Sequence, residues 1–287
     1  VEDGVSEHRS FSHIVFAGGG GRCIWQVGFW QALSSVMELQ PKSIAAVSAG
    51  AAMATFLIGG AEDAALEAFS SRIARNEKNA YWGHLFQRGK KVFPQAKIYR
   101  DALLEVYTPE VFERIKSGPE IRMLLARPPR WMGPYLGAMV GVSAYKLEKK
   151  LHKPLHPLWG TRLGFLPWVV STHDCETPEA LAELVLQSSC TPPFTPLLKR
   201  EGQIVLDGGL VDNVPVIALP EEAKEEETLV MLSRPYPPSS MLAARGRVYV
   251  QPSRVLPVST WDYTSPEKLV VTHELGLRDG EAFAATL

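Results

Sequence analysis

Cysteine is scarce in this chain, and neither sign of charge dominates. The three cysteines, Cys23, Cys175 and Cys190, are an odd set without paired spacing, which excludes a disulfide framework and a zinc knuckle and fits a reducing, cytoplasmic setting. With 30 basic and 31 acidic side chains over 287 residues, no whole-protein field would draw in a polyanion, so nucleic acid is not an expected partner. The N-terminal Val1-Glu2-Asp3-Gly4-Val5 lacks a basic-then-apolar leader pattern and an initiator methionine, so the chain is expected to be trimmed from a longer product. No internal repeat or low-complexity run is visible. What is present is ordinary for one sizeable globular domain: 46% hydrophobic and 21% charged residues, enough for a full core. We therefore expect a single domain over 1–287; its oligomeric state is not readable.

The N-terminal third alternates. His13 to Ala17 reads as a buried strand and runs into Gly18-Gly19-Gly20-Gly21-Arg22. A helix from Ile24 to near Leu39 follows, then a second strand, Ile44 to Val47, and a second helix from Ala49 to Leu57. Such alternation predicts an α/β fold with a mainly parallel central sheet flanked by helices, the glycine loop and Ser48 meeting at the C-terminal sheet edge. Later helices are expected over Ala61–Arg75, Ile98–Tyr107, Pro109–Lys116, Glu179–Gln187 and Ser265–Ala285. Strands are expected over Glu120–Ala126, Phe165–Thr172, Ile204–Leu206, Thr228–Leu232 and Val248–Val250.

Ser48 stands at a strand-to-helix corner among small residues, Ala46-Val47-Ser48-Ala49-Gly50. A hydroxyl there faces free N–H groups and the positive end of a helix dipole, as a nucleophile elbow requires. The plainer reading is a helix N-cap. The glycine run fails the dinucleotide pattern, because Cys23 stands at the third glycine position, and it fails the P-loop, because no Gly-Lys-Ser/Thr closes it. No cofactor is expected. A run of exposed N–H groups near a serine is instead what an oxyanion hole needs, here from Gly19, Gly20 and Gly21. Asp207 ends an apolar strand before two glycines and is expected at the same edge as Ser48.

These segments together resemble the patatin-like phospholipases. The resemblance rests on the glycine loop with Arg22, on the elbow, on Asp207-Gly208-Gly209-Leu210-Val211-Asp212-Asn213-Val214-Pro215, and on Val169–Asp174 and Ser188–Phe194. It implies a three-layer α/β/α fold and a lipid acyl hydrolase, of phospholipase A or lysophospholipase type, with a Ser48–Asp207 dyad. Two positions depart from the family pattern, Ala46 and Cys23, where glycine is usual. Cys23 reads as small-residue packing rather than a functional thiol. Arg22 is expected to brace the loop, its alternative role being attraction of a lipid phosphate.

Rival readings have their own residues. His273 completes the order Ser, Asp, His of an α/β-hydrolase triad, although it falls in a helix-like segment. His152 and His156 have helical ligand spacing, but Pro154 lies between them and no acid is near in sequence apart from Glu148, so no metal site is expected. A transacylase would use the same acyl-enzyme, and a lipid-binding scaffold would not use it at all.

From Arg127 to Arg162 the character shifts to a basic, proline- and tryptophan-containing segment in which Glu148 is the single acid. Trp131 to Tyr145 carries no charge but falls short of the ~20 residues that span a bilayer. Gly133, Gly137 and Gly141 recur every four residues, which would also suit a core helix. Aromatics at one end, with Lys146, Lys149, Lys150 and Lys153 at the other, predict a lid that caps the Ser48 cleft and docks peripherally on anionic membranes.

Overall fold

The computed structural model describes residues 10–151, 154–224, 226–241 and 246–287. Its strands are β1 (His13–Phe16), β2 (Ser43–Val47), β3 (Glu120–Arg127), β4 (Leu166–Ser171), β5 (Leu198–Arg200), β6 (Gln203–Asp207), β7 (Thr228–Met231) and β8 (Arg247–Val250). The helices are α1 (Ile24–Ser34), α2 (Ala49–Ile58), α3 (Glu62–Ala74), α4 (Gln95–Val106), α5 (Pro109–Ser117), α6 (Pro134–Leu151), α7 (Trp159–Arg162), α8 (Pro178–Ser188) and α9 (Pro266–Ala284).

The sheet order is β5-β6-β3-β2-β1-β7-β8, with β4 also on β3. β3, β2, β1, β7 and β8 run parallel. Every residue of β1, β2 and β7 is buried, the signature of parallel strands covered on both faces. Strand alternation divides the apolar residues between two cores. Ile14, Phe16, Ile44, Ala46, Leu229 and Met231 face residues of α1 to α5, α8 and α9. Val15, Ala45, Val47 and Val230 face Leu155, Val214, Ala218 and Tyr236, which come from short turns rather than long helices. A third cluster joins α6, through Ala138 and Val142, to Phe165, Leu206 and Leu210.

Local chemistry sets several boundaries. Thr108 and Thr177 accept hydrogen bonds from Val111 N (3.3 Å) and Ala180 N (3.2 Å), and each is followed by a proline at the first helical position of α5 and α8, where the missing N–H costs nothing. α4 starts at Gln95, three residues before the expected Ile98, because Pro94 already has helical backbone angles. α1 stops at Ser34, short of Leu39, where Ser35 turns its hydroxyl onto the Ala32 carbonyl at 2.7 Å.

β4 and β6 both run antiparallel to β3, a direction that the sequence does not specify. β2 pairs β3 as far as Val47↔Leu124, while β6 pairs it at Asp207↔Leu125 and Leu206↔Ala126. β4 occupies the other side of β3 over residues 122–127, so β6 takes the side that β2 leaves at Val47. β2 and β6 therefore meet end to end along one neighbour, and their C-terminal residues arrive at the same point from opposite directions.

Candidate active site

Ser48 follows Val47 with φ 56° and ψ −136°, a backbone conformation that only glycine adopts freely and that costs a side-chain-bearing residue on the order of 1–3 kcal/mol. It occupies the N-cap position of α2, yet its hydroxyl makes no capping hydrogen bond. The N-cap reading is thereby set aside: the strained turn presents the hydroxyl outward instead of spending it on the helix. The turn is pinned by Ser188, which is fully buried. Its hydroxyl accepts from Ser48 N at 2.9 Å and donates to the Leu124 carbonyl at 2.8 Å.

Small residues at the elbow have specific neighbours. A Cβ on Gly50 would stand 2.6 Å from the Ala17 carbonyl oxygen and 2.7 Å from that of Phe16, so α2 can pack this closely on β1 only with glycine there. Gly50→Ala is expected to cost about 1–3 kcal/mol by overpacking, read as a lower urea midpoint with unchanged slope. Ala46 needs no glycine: it lies within β2 opposite Phe16 and Met123, without positive φ.

Asp207 reaches the elbow from β6. One carboxylate oxygen accepts from Gly209 N at 2.7 Å, and the other accepts from the Thr191 hydroxyl at 3.3 Å. The glycine loop lies on the opposite side. Gly20 has φ +61°, and a Cβ there would strike the Thr260 carbonyl oxygen at 2.2 Å. Gly20 and Gly21 begin a helical turn, Gly20–Cys23, whose first N–H groups have no acceptor within the turn. Arg22 Nε donates to the Gly19 carbonyl at 3.1 Å. Burial lowers its pKa from the ordinary guanidinium value, with Arg234 acting in the same direction.

Two cavities meet at Ser48. A narrow one, mainly apolar, is lined by Met53, Phe69, Ile73, Tyr99 and Leu269. The other, of about 240 Å³, is lined by Gly19, Arg22, Tyr145, Asp207 and Asn213. Gly20, Ser48 and Trp261 belong to both.

The family model described as Patatin-like phospholipase matches residues 14–220, well over half the chain and inclusive of the loop, the elbow and the aspartate block. The chain belongs to the patatin-like phospholipase family. Its members are serine-dependent lipid acyl hydrolases, and the mixed, mostly parallel sheet flanked by helices agrees with a patatin-like α/β/α fold. The crystal structure of VipD from Legionella pneumophila is similar at a TM-score of 0.46 and 12% identity, over 97% of this chain and 67% of that one. No curated protein matches.

Within this patatin-like domain the rival histidines are placed elsewhere. His273 lies on α9 with Nε2 2.7 Å from Gln31 Oε1 on α1, burial lowers its pKa, and it lines neither Ser48 cavity. His273→Ala is expected to retain more than half of wild-type ester turnover in a steady-state assay; a loss of a hundredfold would restore the triad. His156 does have an acid partner, contrary to the sequence expectation: its Nδ1 is 2.8 Å from Asp212 Oδ1, an acid from a distant segment. His152 lies outside the described residues, and no group of three or more metal-ligating side chains is found among those described. Cys23 is fully buried, and desolvation pushes its thiol up to about 12, which keeps it protonated and inert.

Several residues at the site carried no separate sequence signal. Asn213 ties three elements together: its carbonyl accepts from Gly18 N at 3.0 Å, its Nδ2 donates to Gly18 O at 3.1 Å, and its Oδ1 accepts from the Tyr145 hydroxyl at 3.3 Å. The Ser233 hydroxyl also donates to Gly18 O, at 2.6 Å. Asn213 stood within the aspartate block and could have been singled out there; Ser233, Tyr145 and Trp261 could not.

The 127–162 segment has two characters. Val142 and Tyr145 of α6 line the cavity that holds Asp207, and Gly141 packs on Phe165 and Leu210. Tyr135, Leu136, Met139, Leu147 and Leu151 of the same helix are exposed. A Cβ on Gly133 would meet open space. Glu148 is buried and accepts from Leu158 N (2.8 Å) and Trp159 N (3.0 Å), so it caps α7. Lys153 and the side chains of Lys146, Lys149 and Lys150 lie outside the described residues. No described helix is long and apolar enough to cross a membrane.

Proposed function

We propose that this chain hydrolyses carboxylic esters of acyl lipids, in the manner of a phospholipase A or lysophospholipase, through an acyl-enzyme on Ser48 with Asp207 as general base. The observation that carries this is the uncapped hydroxyl of Ser48, held at φ 56° where the two cavities meet. In the first half, Ser48 Oγ bonds to the ester carbonyl carbon as its proton passes to Asp207, and the carbonyl electron pair moves onto oxygen. The N–H groups of Gly19, Gly20 and Gly21 receive that oxyanion; one such donor is worth about 3 kcal/mol. Collapse breaks the C–O bond, and the leaving alkoxide takes the proton from Asp207. Water then repeats the sequence on the acyl-enzyme and releases the acid.

The acyl chain would occupy the narrow apolar cavity, and the alcohol portion the wider one, where Arg22 stands to attract a phosphate. We read 1–287 as one catalytic domain in which 127–162 forms a lid, with the exposed face of α6 as a peripheral contact for an anionic bilayer. A fluorophosphonate probe followed by intact mass and peptide mapping tests the reading. It requires a single adduct on Ser48; a chain that stays unlabelled while binding lipid would be a scaffold.

A further inference from the structure

A second surface, remote in sequence from α6, has the chemistry of a lipid contact and is linked to Ser48 by a row of rings. From Lys78 to Arg100 the chain carries six Lys or Arg and no acid, a local excess in a protein whose overall charge is −1. At its tip, Trp82 is 63% exposed, Leu85 63% and Phe86 94%. Three large apolar side chains at such exposure within five residues are not the scattered singles normal on a protein surface. Arg88, Lys90 and Lys91 follow directly, and all are exposed. Apolar side chains that enter the acyl boundary beside cations that meet anionic head groups are the two components of reversible interfacial binding.

The tip is continuous with the catalytic centre. Trp82 meets Phe93 edge-on at 5.8 Å between centroids, Phe93 meets Phe194 edge-on at 5.1 Å, and Phe194 stacks on Trp261 at 4.4 Å. Trp261 lines both cavities at Ser48. Alongside this row runs a mainly apolar groove of about 690 Å³ between Phe93, Leu186 and Leu198, with Lys90 and Lys91 also lining it. Thr195 is shared by this groove and the narrow cavity.

We propose that the 82–91 segment is a docking tip for an anionic lipid bilayer. The inference rests on the lipid acyl hydrolase reading and names the partner of that same site. A bilayer, rather than a soluble polyanion, fits because the cations stand beside exposed apolar side chains that a soluble anion would leave in water.

Flotation with vesicles of phosphatidylcholine alone and with added phosphatidylserine tests the tip. Leu85→Ser/Phe86→Ser and Arg88→Glu/Lys90→Glu/Lys91→Glu are each expected to weaken binding to the anionic vesicles at least tenfold. Both variants should hydrolyse a soluble, monomeric short-chain ester at the wild-type rate, which also shows that they are folded. Leu136→Ser/Met139→Ser on the outer face of α6 provides the comparison. Unchanged binding in both tip variants, or binding lost only in the α6 variant, would overturn the docking tip. Absence of ester hydrolysis by the wild-type protein would defeat the enzyme reading while leaving the vesicle result to stand by itself.

Discussion

Ser48→Gly is expected to stabilise the fold by about 1 kcal/mol while lowering ester turnover by about 10⁴-fold or more. The two effects have separate causes. Relief of the φ 56° conformation returns about 1–3 kcal/mol, and the greater entropy of glycine in the unfolded chain offsets about 0.5–1 kcal/mol of that. The hydroxyl contributes nothing to α2, since it makes no capping bond, and the Ser48 N to Ser188 contact survives because it is made by backbone. Turnover falls because the acyl acceptor is gone. Ser48→Ala should lose turnover equally without the gain in stability, because alanine at positive φ retains the strain. Urea denaturation beside a soluble-ester assay separates the two; a glycine variant less stable than wild type would refute the strained-elbow account, and one that still turned over would refute the nucleophile.

Asp207→Asn should cost about 10³-fold in kcat with little change in stability. The oxygen that accepts from Gly209 N at 2.7 Å can be kept by the amide. The new NH₂ can donate to the Thr191 hydroxyl, which now donates to Asp207 at 3.3 Å. The turn thus keeps its hydrogen bonds while the base is lost, and a positioned base is typically worth 10²–10⁴ in rate. Retention of substantial turnover would remove Asp207 from the proton transfer. In crystals of the active protein, a carboxylate oxygen of Asp207 should lie about 2.6–3.2 Å from Ser48 Oγ.

Much of this was legible in the chain itself. Runs such as Ile14-Val15-Phe16 and Ile44-Ala45-Ala46-Val47, apolar on both alternations, short and bounded by polar or glycine residues, read as strands buried on two faces. The glycine run, the small-residue elbow and Asp207-Gly208-Gly209 each follow such a strand, so their order marked the candidate residues before any fold was known. A histidine within a helical pattern was equally readable: His273 lies on α9 against α1.

Other features depend on contacts between segments far apart, and period and propensity are silent about those. Nothing in Gln203–Asp207 says that the strand runs antiparallel or that it takes the side of β3 that β2 vacates at Val47; pairing direction is settled by chain connectivity and by which neighbour has unpaired backbone groups. The acid that pairs with His156 lies 56 residues away, so local spacing could not find it. Trp261 is joined to the exposed Trp82 through Phe194 and Phe93, residues with no shared motif. Strand identity and the order of the candidate residues were determined by local pattern, because burial period and turn chemistry act within a few residues. The placing of Ser48 and Asp207 on one cavity was decided by tertiary packing alone, because only the packed sheet brings those strand ends together.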